Sequence, residues 1–95
     1  MTAFQSACLS ELAALASRLR LRAEERPVSG KNENYFVVRF SADQKSIDVY
    51  VYDDEAGILE NEVWTSFERW DHESPGALVE SLCQAISDRM IEAHR

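Results

Sequence analysis

The 95 residues carry 45% hydrophobic side chains, which suits one domain able to bury roughly 60–65% of its unfolded surface without metal or disulfide staples. The net charge is −7 and unevenly placed. Residues 1–42 hold six Lys/Arg and four Asp/Glu, whereas residues 43–95 hold four and thirteen, an acidic field that repels phosphate backbones and disfavours direct DNA or RNA binding.

The first residues, Met1 to Gln5, lack the basic and apolar regions of a signal peptide, and no apolar run approaches the ~18 residues of a membrane span. A cytoplasmic protein without membrane contact is expected. Cys8 and Cys83 are far apart and have no neighbours at metal-ligand spacing, so free thiols are expected rather than a zinc site or a disulfide framework. A cross-link between the helices that carry them would need Cα atoms within about 7 Å.

In chain order, the first helix is predicted over residues 3–22. Thr2 stands as N-cap with Gln5 three positions on, the spacing of a capping box. Phe4, Cys8, Leu12, Leu15 and Leu19 recur at intervals of four and three, broadened by Leu9 and Ala16, and form an apolar stripe that must pack on something. Ser6, Ser10, Ala13 and Ser17 make a strip of small residues on the far side, read first as a solvated face and second as a place where another backbone comes close.

Half of the basic residues fall between positions 18 and 31, where cations near the helix end complement its dipole. Pro27 disfavours helix at the residue before it, and residues 24–34, with Ser29-Gly30-Lys31, read as a loop. A phosphate-cradling loop would need further glycines and a following helix, whereas a strand follows here.

That strand is predicted over 35–41, with Phe36, Val38 and Phe40 on one face and Tyr35, Val37 and Arg39 on the other. Ala42 to Lys45 is a hairpin connection. Residues 46–53 then alternate strictly: Ile47, Val49 and Val51 take one face, Asp48, Tyr50 and Tyr52 the other, the plainest strand signal in the chain. Asp53 to Gly57 is read as a turn closed by a positive φ at Gly57. Its carboxylates lack the ligand order and flanking helices of an EF-hand, so no metal is assigned.

Residues 58–67 are read as a third strand with Leu59, Val63 and Phe67 inward and Glu60, Glu62 and Trp64 outward, although Val63, Phe67 and Trp70 also keep helical spacing. The last helix is predicted over 75–93, with Ser74 as N-cap and Pro75 at the first helical position. Leu78, Val79, Leu82, Ala85, Ile86 and Met90 form its buried face, with Cys83 at the edge and Ile91 off the pattern.

The predicted architecture is a single α+β domain, a two-layer sandwich in the order helix, three-stranded antiparallel meander, helix (αβββα), with both helices on one sheet face. Double-stranded-RNA-binding domains are similar in this order of elements. The lysine cluster such domains carry at the start of the final helix is absent from Pro75-Gly76-Ala77-Leu78-Val79-Glu80, so no family is assigned.

Chemistry-bearing residues are sparse. His72 between Asp71 and Glu73 is the one histidine away from the terminus, and a His-carboxylate base is its functional reading. Adjacent loop residues rarely point together, and no nucleophile signature accompanies it. No cofactor is implied.

The open sheet face is the stronger lead. Tyr35, Arg39, Asp48, Tyr50, Tyr52, Glu60, Glu62 and Trp64 are predicted to share it, combining aromatics of the kind enriched at binding hot spots with carboxylates. The expected function is a small acidic protein-binding module, an adaptor or inhibitor without catalysis. It would present this face to a basic protein partner, in the extreme form as a nucleic-acid mimic of the kind some phage inhibitors and immunity proteins represent. One alternative is a homodimer resembling the small chaperones of secreted effectors in size, acidity and helix-sheet order, paired through the small-residue strip or a strand edge. The other is an enzyme using His72.

Overall fold

A computed structural model describes residues 2–26 and 34–93, with side chains through Ile91. Along the chain lie α1 (Ala3–Leu19), β1 (Arg22–Arg26), β2 (Phe36–Ala42), β3 (Lys45–Val51), β4 (Ala56–Glu60), β5 (Val63–Phe67), a short 3-10 turn (Arg69–Asp71) and α2 (Pro75–Ala93). The strands form one antiparallel sheet in the order β1-β2-β3-β4-β5. The fold is α+β as expected, but the predicted three-stranded meander is corrected to five strands. The segment 27–33, with Ser29-Gly30-Lys31, and His94 lie outside the described residues.

Two local events produce the extra strands. First, α1 stops at Leu19, three residues before the predicted end, because Arg20 turns into the left-handed region (φ 56, ψ 42). The Leu21 N–H then donates to Ala16 O at 2.8 Å and the Arg20 N–H to Ser17 O at 3.3 Å. These are the two bonds of a Schellman closure, which satisfies carbonyls the helix end would leave unpaired. A non-glycine residue in that region costs roughly 1–2 kcal/mol, and burial of Leu21 and Ala16 in the core offsets it. The chain leaves the helix as β1, which pairs with β2 through Ala23 opposite Phe40 and Glu24 opposite Arg39. Every residue of β1 is exposed.

Second, the predicted strand 58–67 is two strands. Asn61 (φ 50) and Glu62 (φ 68) form a two-residue turn with both central residues in the left-handed region, the hairpin turn whose twist matches that of antiparallel strands. Glu60 pairs with Val63 across it, Leu59 with Trp64 and Ile58 with Thr65. A two-residue loop pairs positions of opposite parity, so the inward residues are even-numbered in β4 and odd-numbered in β5. The earlier hairpin, at Asp43-Gln44, is a second two-residue loop closed by positive φ, at Asp43 (φ 54). Gly57 has no positive φ and lies within β4, so the expected glycine-closed turn is also corrected. The loop between β3 and β4 is instead closed by the Tyr52 N–H donating to Glu55 O at 2.8 Å.

The core follows from period. Phe36, Val38 and Phe40 on β2 lie opposite Val51, Val49 and Ile47 on β3, and Ala56 and Ile58 continue the same face onto β4. Cys8, Leu12, Leu15 and Ala16 of α1 and Leu78, Val79, Leu82, Ile86 and Met90 of α2 are buried with them in one cluster. Both helices therefore lie on the same sheet face, and each large aliphatic side chain so buried contributes roughly 1.5–3 kcal/mol. Among the described residues, no helix is long and apolar enough to cross a membrane.

Both predicted helix starts are present. The Gln5 N–H donates to Thr2 Oγ1 at 3.1 Å while the Thr2 N–H donates to Gln5 Oε1 at 2.8 Å. The same two residues tie α1 to the sheet, since Thr2 Oγ1 donates to Asp53 O at 2.9 Å and Gln5 Nε2 to Asn34 O at 2.6 Å. At α2, the Ala77 N–H donates to Ser74 Oγ at 3.1 Å.

Glu62 tests the turn that splits the predicted third strand. Glycine adopts its φ without the Cβ penalty, so Glu62→Gly is expected to raise stability by about 1 kcal/mol. Urea unfolding followed by circular dichroism should show a higher midpoint at unchanged slope.

Candidate functional site

The face of the sheet turned away from both helices is built by register. One row across it runs Glu24, Arg39, Asp48, Leu59, Trp64, and the next runs Arg26, Val37, Tyr50, Gly57, Ser66. Alternation along β2, β3 and β4 forces this, because the residues of the opposite face are the core, and the pairing register carries the same face onto β1 and β5.

Four rings form a connected cluster on this face. Tyr35 lies 5.0 Å from Tyr52 and 6.2 Å from Tyr50, centroid to centroid, and Tyr50 lies 6.5 Å from Tyr52. Trp64 meets Tyr50 edge-on at 5.3 Å and 74°, a spacing and angle that aromatic quadrupoles favour. The Trp64 ring is held at both ends. Its Nε1–H donates to Ser66 Oγ at 2.9 Å, and its six-membered ring lies over Gly57 so closely that a Cβ there would sit 2.2 Å from Trp64 Cζ2. Gly57 is therefore needed for space, where a backbone must leave room for a neighbouring ring. Trp64 nevertheless stays 44% exposed.

Beside the rings, Arg39 and Asp48 stand directly opposite on β2 and β3. They pair as a fork, Nε to Oδ1 at 2.8 Å and Nη2 to Oδ2 at 3.1 Å. The hydrogen bond to Asp48, then the charge of that carboxylate, push the Arg39 guanidinium above its usual value. The pair's role is register and local neutrality, since partly exposed pairs of this kind contribute only about 0–1 kcal/mol.

Six of the eight predicted surface residues are thus together: Tyr35, Arg39, Asp48, Tyr50, Tyr52 and Trp64. Two are not. Glu60 falls on the helix side, where Lys45 Nζ lies 2.8 Å from its Oε2 and Arg89 Nε of α2 lies 3.3 Å from its Oε1. Arg89 Nε has no hydrogen-bond acceptor at proper angle, so that contact is Coulombic. Arg89 is positioned by Nη1 donating to Ala85 O and Nη2 to Thr65 Oγ1. Glu62 sits in the β4–β5 turn at the rim. Both displacements follow from the parity change at Asn61-Glu62.

Sequence reasoning missed Arg22, Glu24 and Arg26, which β1 adds to this face, and Leu59, which the hairpin turns outward. The face therefore carries mixed charge, and the acids gather elsewhere. Asp53, Asp54 and Glu55 in the β3–β4 loop and Glu68, Asp71 and Glu73 after β5 lie towards the end of the sheet where Val51, Ala56 and Phe67 stand in register. Trp70, 78% exposed, follows Glu68 at that end.

The other predicted chemistry is placed less suggestively. His72 Nδ1 lies 2.7 Å from Glu68 O, so Nδ1 carries the proton and donates, anchoring the ring to the turn before α2. Cys8 is buried and Cys83 half-buried, and both are free thiols. Burial, then the proximity of Cys83, push the Cys8 thiol up to about 12, and burial followed by Glu11 raises Cys83. Neither is a thiolate at neutral pH, the form needed for nucleophilic chemistry. Cys83 lines an open groove of about 600 Å³ between α1 and α2, together with Ala7, Glu11, Arg18 and Gln84. Among the described residues, no group of three or more His, Cys, Asp or Glu is arranged to hold a metal ion.

Comparison with protein-family models, curated proteins and solved structures returns no match.

The Gly57–Trp64 contact is open to direct test. Gly57→Ala must push the Trp64 ring off the sheet, which is expected to cost about 1–3 kcal/mol, as overpacking does elsewhere. The near-ultraviolet dichroism of the Tyr–Trp cluster should collapse while the far-ultraviolet signal persists.

Proposed function

We propose that the chain is a small protein-binding module, an adaptor or inhibitor without catalysis, which engages a protein partner through the aromatic sheet face. The observation that carries this reading is the connected cluster of Tyr35, Tyr50, Tyr52 and Trp64 on a face that neither helix covers. The three tyrosines are half-buried and Trp64 is 44% exposed, so the cluster supplies the centre of an interface whose remaining area, out of about 800 Å² per partner in a standard one, comes from the residues around it. Tyr and Trp are residues that dominate binding energy when buried at an interface centre.

A basic partner, in a cytoplasmic setting, suits the acids gathered at the loop end of the face, which would steer its approach. The extreme form, a mimic of nucleic-acid charge, draws less support. β1 adds Arg22 and Arg26 to the face and Glu60 leaves it, so negative charge is concentrated at one end rather than spread along a track.

A second reading, the chaperone-like homodimer, is favoured by the contrast between the two sheet edges. β1 carries four charged residues in five, the usual protection of an edge against pairing. β5, Val-Trp-Thr-Ser-Phe, carries none, and Val63 is 64% exposed. Antiparallel self-pairing centred on Thr65 would set Glu62 of each copy opposite Glu68 of the other, a repulsion that a basic partner would not meet. The protein-binding module is therefore placed first. The exposed strip Ser6, Ser10, Ala13 and Ser17 on α1 has no comparable feature in its favour.

The immobilised protein should capture a partner from an extract of its native host. Tyr50→Ala with Trp64→Ala is expected to weaken that capture at least about thirtyfold, as loss of a hot spot of about 2 kcal/mol does, with the far-ultraviolet spectrum intact. Undiminished capture would remove the reading. Light scattering at micromolar concentration is expected to report a monomer, and a dimer that Thr65→Lys dissociates would establish the second reading instead.

A further inference from the structure

We infer that the groove beside Trp64 receives one cationic side chain of the partner, an arginine guanidinium, held between two rings and two carboxylates. This rests on the reading of the sheet face as a protein-binding surface and specifies what part of the partner is recognised.

The groove has a volume of about 190 Å³ and is lined by Tyr52, Glu55, Ala56, Trp64, Ser66 and Glu68. It is smaller than the ~300–1,000 Å³ typical of small-molecule sites, a size for one long side chain rather than a cofactor. Three features of its lining agree on the charge of the occupant. Tyr52 and Trp64 bring aromatic rings, whose negative π-faces attract cations, Trp most strongly. Glu55 and Glu68 are half-buried at its wall, where salt screens a pair less than in open solvent. Among the described residues, no Lys or Arg lines it.

Asp48 is neutralised by Arg39, and Glu60 by Lys45 and Arg89. Among the described residues, neither Glu55 nor Glu68 has an ion-pair partner. Of the half-buried carboxylates among the described residues, Asp48 and Glu60 are thus matched from within the fold, and the two that line the groove are left to a partner. A planar guanidinium stacks on a ring while its N–H fork reaches a carboxylate, whereas an ammonium, though also drawn to a ring, has neither a plane to stack nor a bidentate fork.

The wall is also rigid. The Trp64 ring is fixed by Ser66 and by its seat over Gly57, and Glu55 and Glu68 lie in backbone that is itself bonded, Glu55 O accepting from the Tyr52 N–H and Glu68 O from the Asp71 N–H. A site held in place before binding loses little freedom when it is filled.

The test uses the whole protein labelled with ¹⁵N and two small probes, Nα-acetyl-arginine amide and its neutral isostere Nα-acetyl-citrulline amide, titrated through the millimolar range at constant ionic strength. The indole N–H signal of Trp64 reports the groove and that of Trp70 serves as reference, the two told apart with Trp70→Phe. Arginine amide should shift the Trp64 signal saturably, citrulline amide about fivefold more weakly or not at all, and Glu55→Gln with Glu68→Gln should weaken arginine binding by a similar factor. Equal response to both probes, no response to either, or indifference to the double substitution overturns the inference. Loss of partner capture by the Tyr50 and Trp64 variants alongside any of these would leave the binding face standing and remove only its cation site. Arginine binding with undiminished capture would keep the site and remove the face.

Discussion

A slip of β3 by one residue against β2 would exchange Ile47, Val49 and Val51 for Asp48, Tyr50 and Tyr52 at the helix interface. Three aliphatic side chains would enter water and a carboxylate would enter the core, a change whose cost exceeds the whole stability of most domains of this size. The rest of the molecule is arranged around preventing it. The two-residue loop at Asp43-Gln44 sets the pairing at one end, and the Arg39–Asp48 fork marks it on the solvent face in the middle. Phe40 and Ile47 fix it beneath, both buried under the helices. The aromatic surface is the other half of that constraint, since the register that buries Val49 is the one that displays Tyr50.

Much of this was legible in the residues. Alternation in 46–53 and 36–40 predicted which side chains form the core and which the open face, because a strand has no third choice. Thr2 with Gln5 announced the first helix start through two reciprocal side-chain-to-backbone hydrogen bonds, and Ser74 with Pro75 the second through one such bond and a preset φ. The stripes of both helices needed only their 3.6 period. These signals are local and strong, and tertiary structure had no reason to override them.

What escaped was set by position in the sheet rather than by composition. β1, Arg-Ala-Glu-Glu-Arg, has no alternation to detect, since an edge strand outside the helices' cover buries nothing, and its charge reads as loop. The split at Asn61-Glu62 escaped because a turn of this type is usually announced by Asn-Gly, and here a glutamate occupies the second left-handed position. That one missed turn accounts for Leu59 and Glu60 being assigned to each other's faces. The placement of Trp64 survived it because the parity of β5 was read from Val63 and Phe67, on the correct side of the break.

The seat of Trp64 on Gly57 couples two positions that are seven apart in the chain but share one volume in space. Any side chain at 57 demands a smaller one at 64, and an indole at 64 demands none at 57. Among sequences descended from this one, the two sites should therefore vary together or not at all, with a small residue at 64 as the permissive first step before 57 is free to change. Conservation of that glycine would then record the persistence of a tryptophan, and with it of the surface the tryptophan serves, rather than a requirement of the backbone.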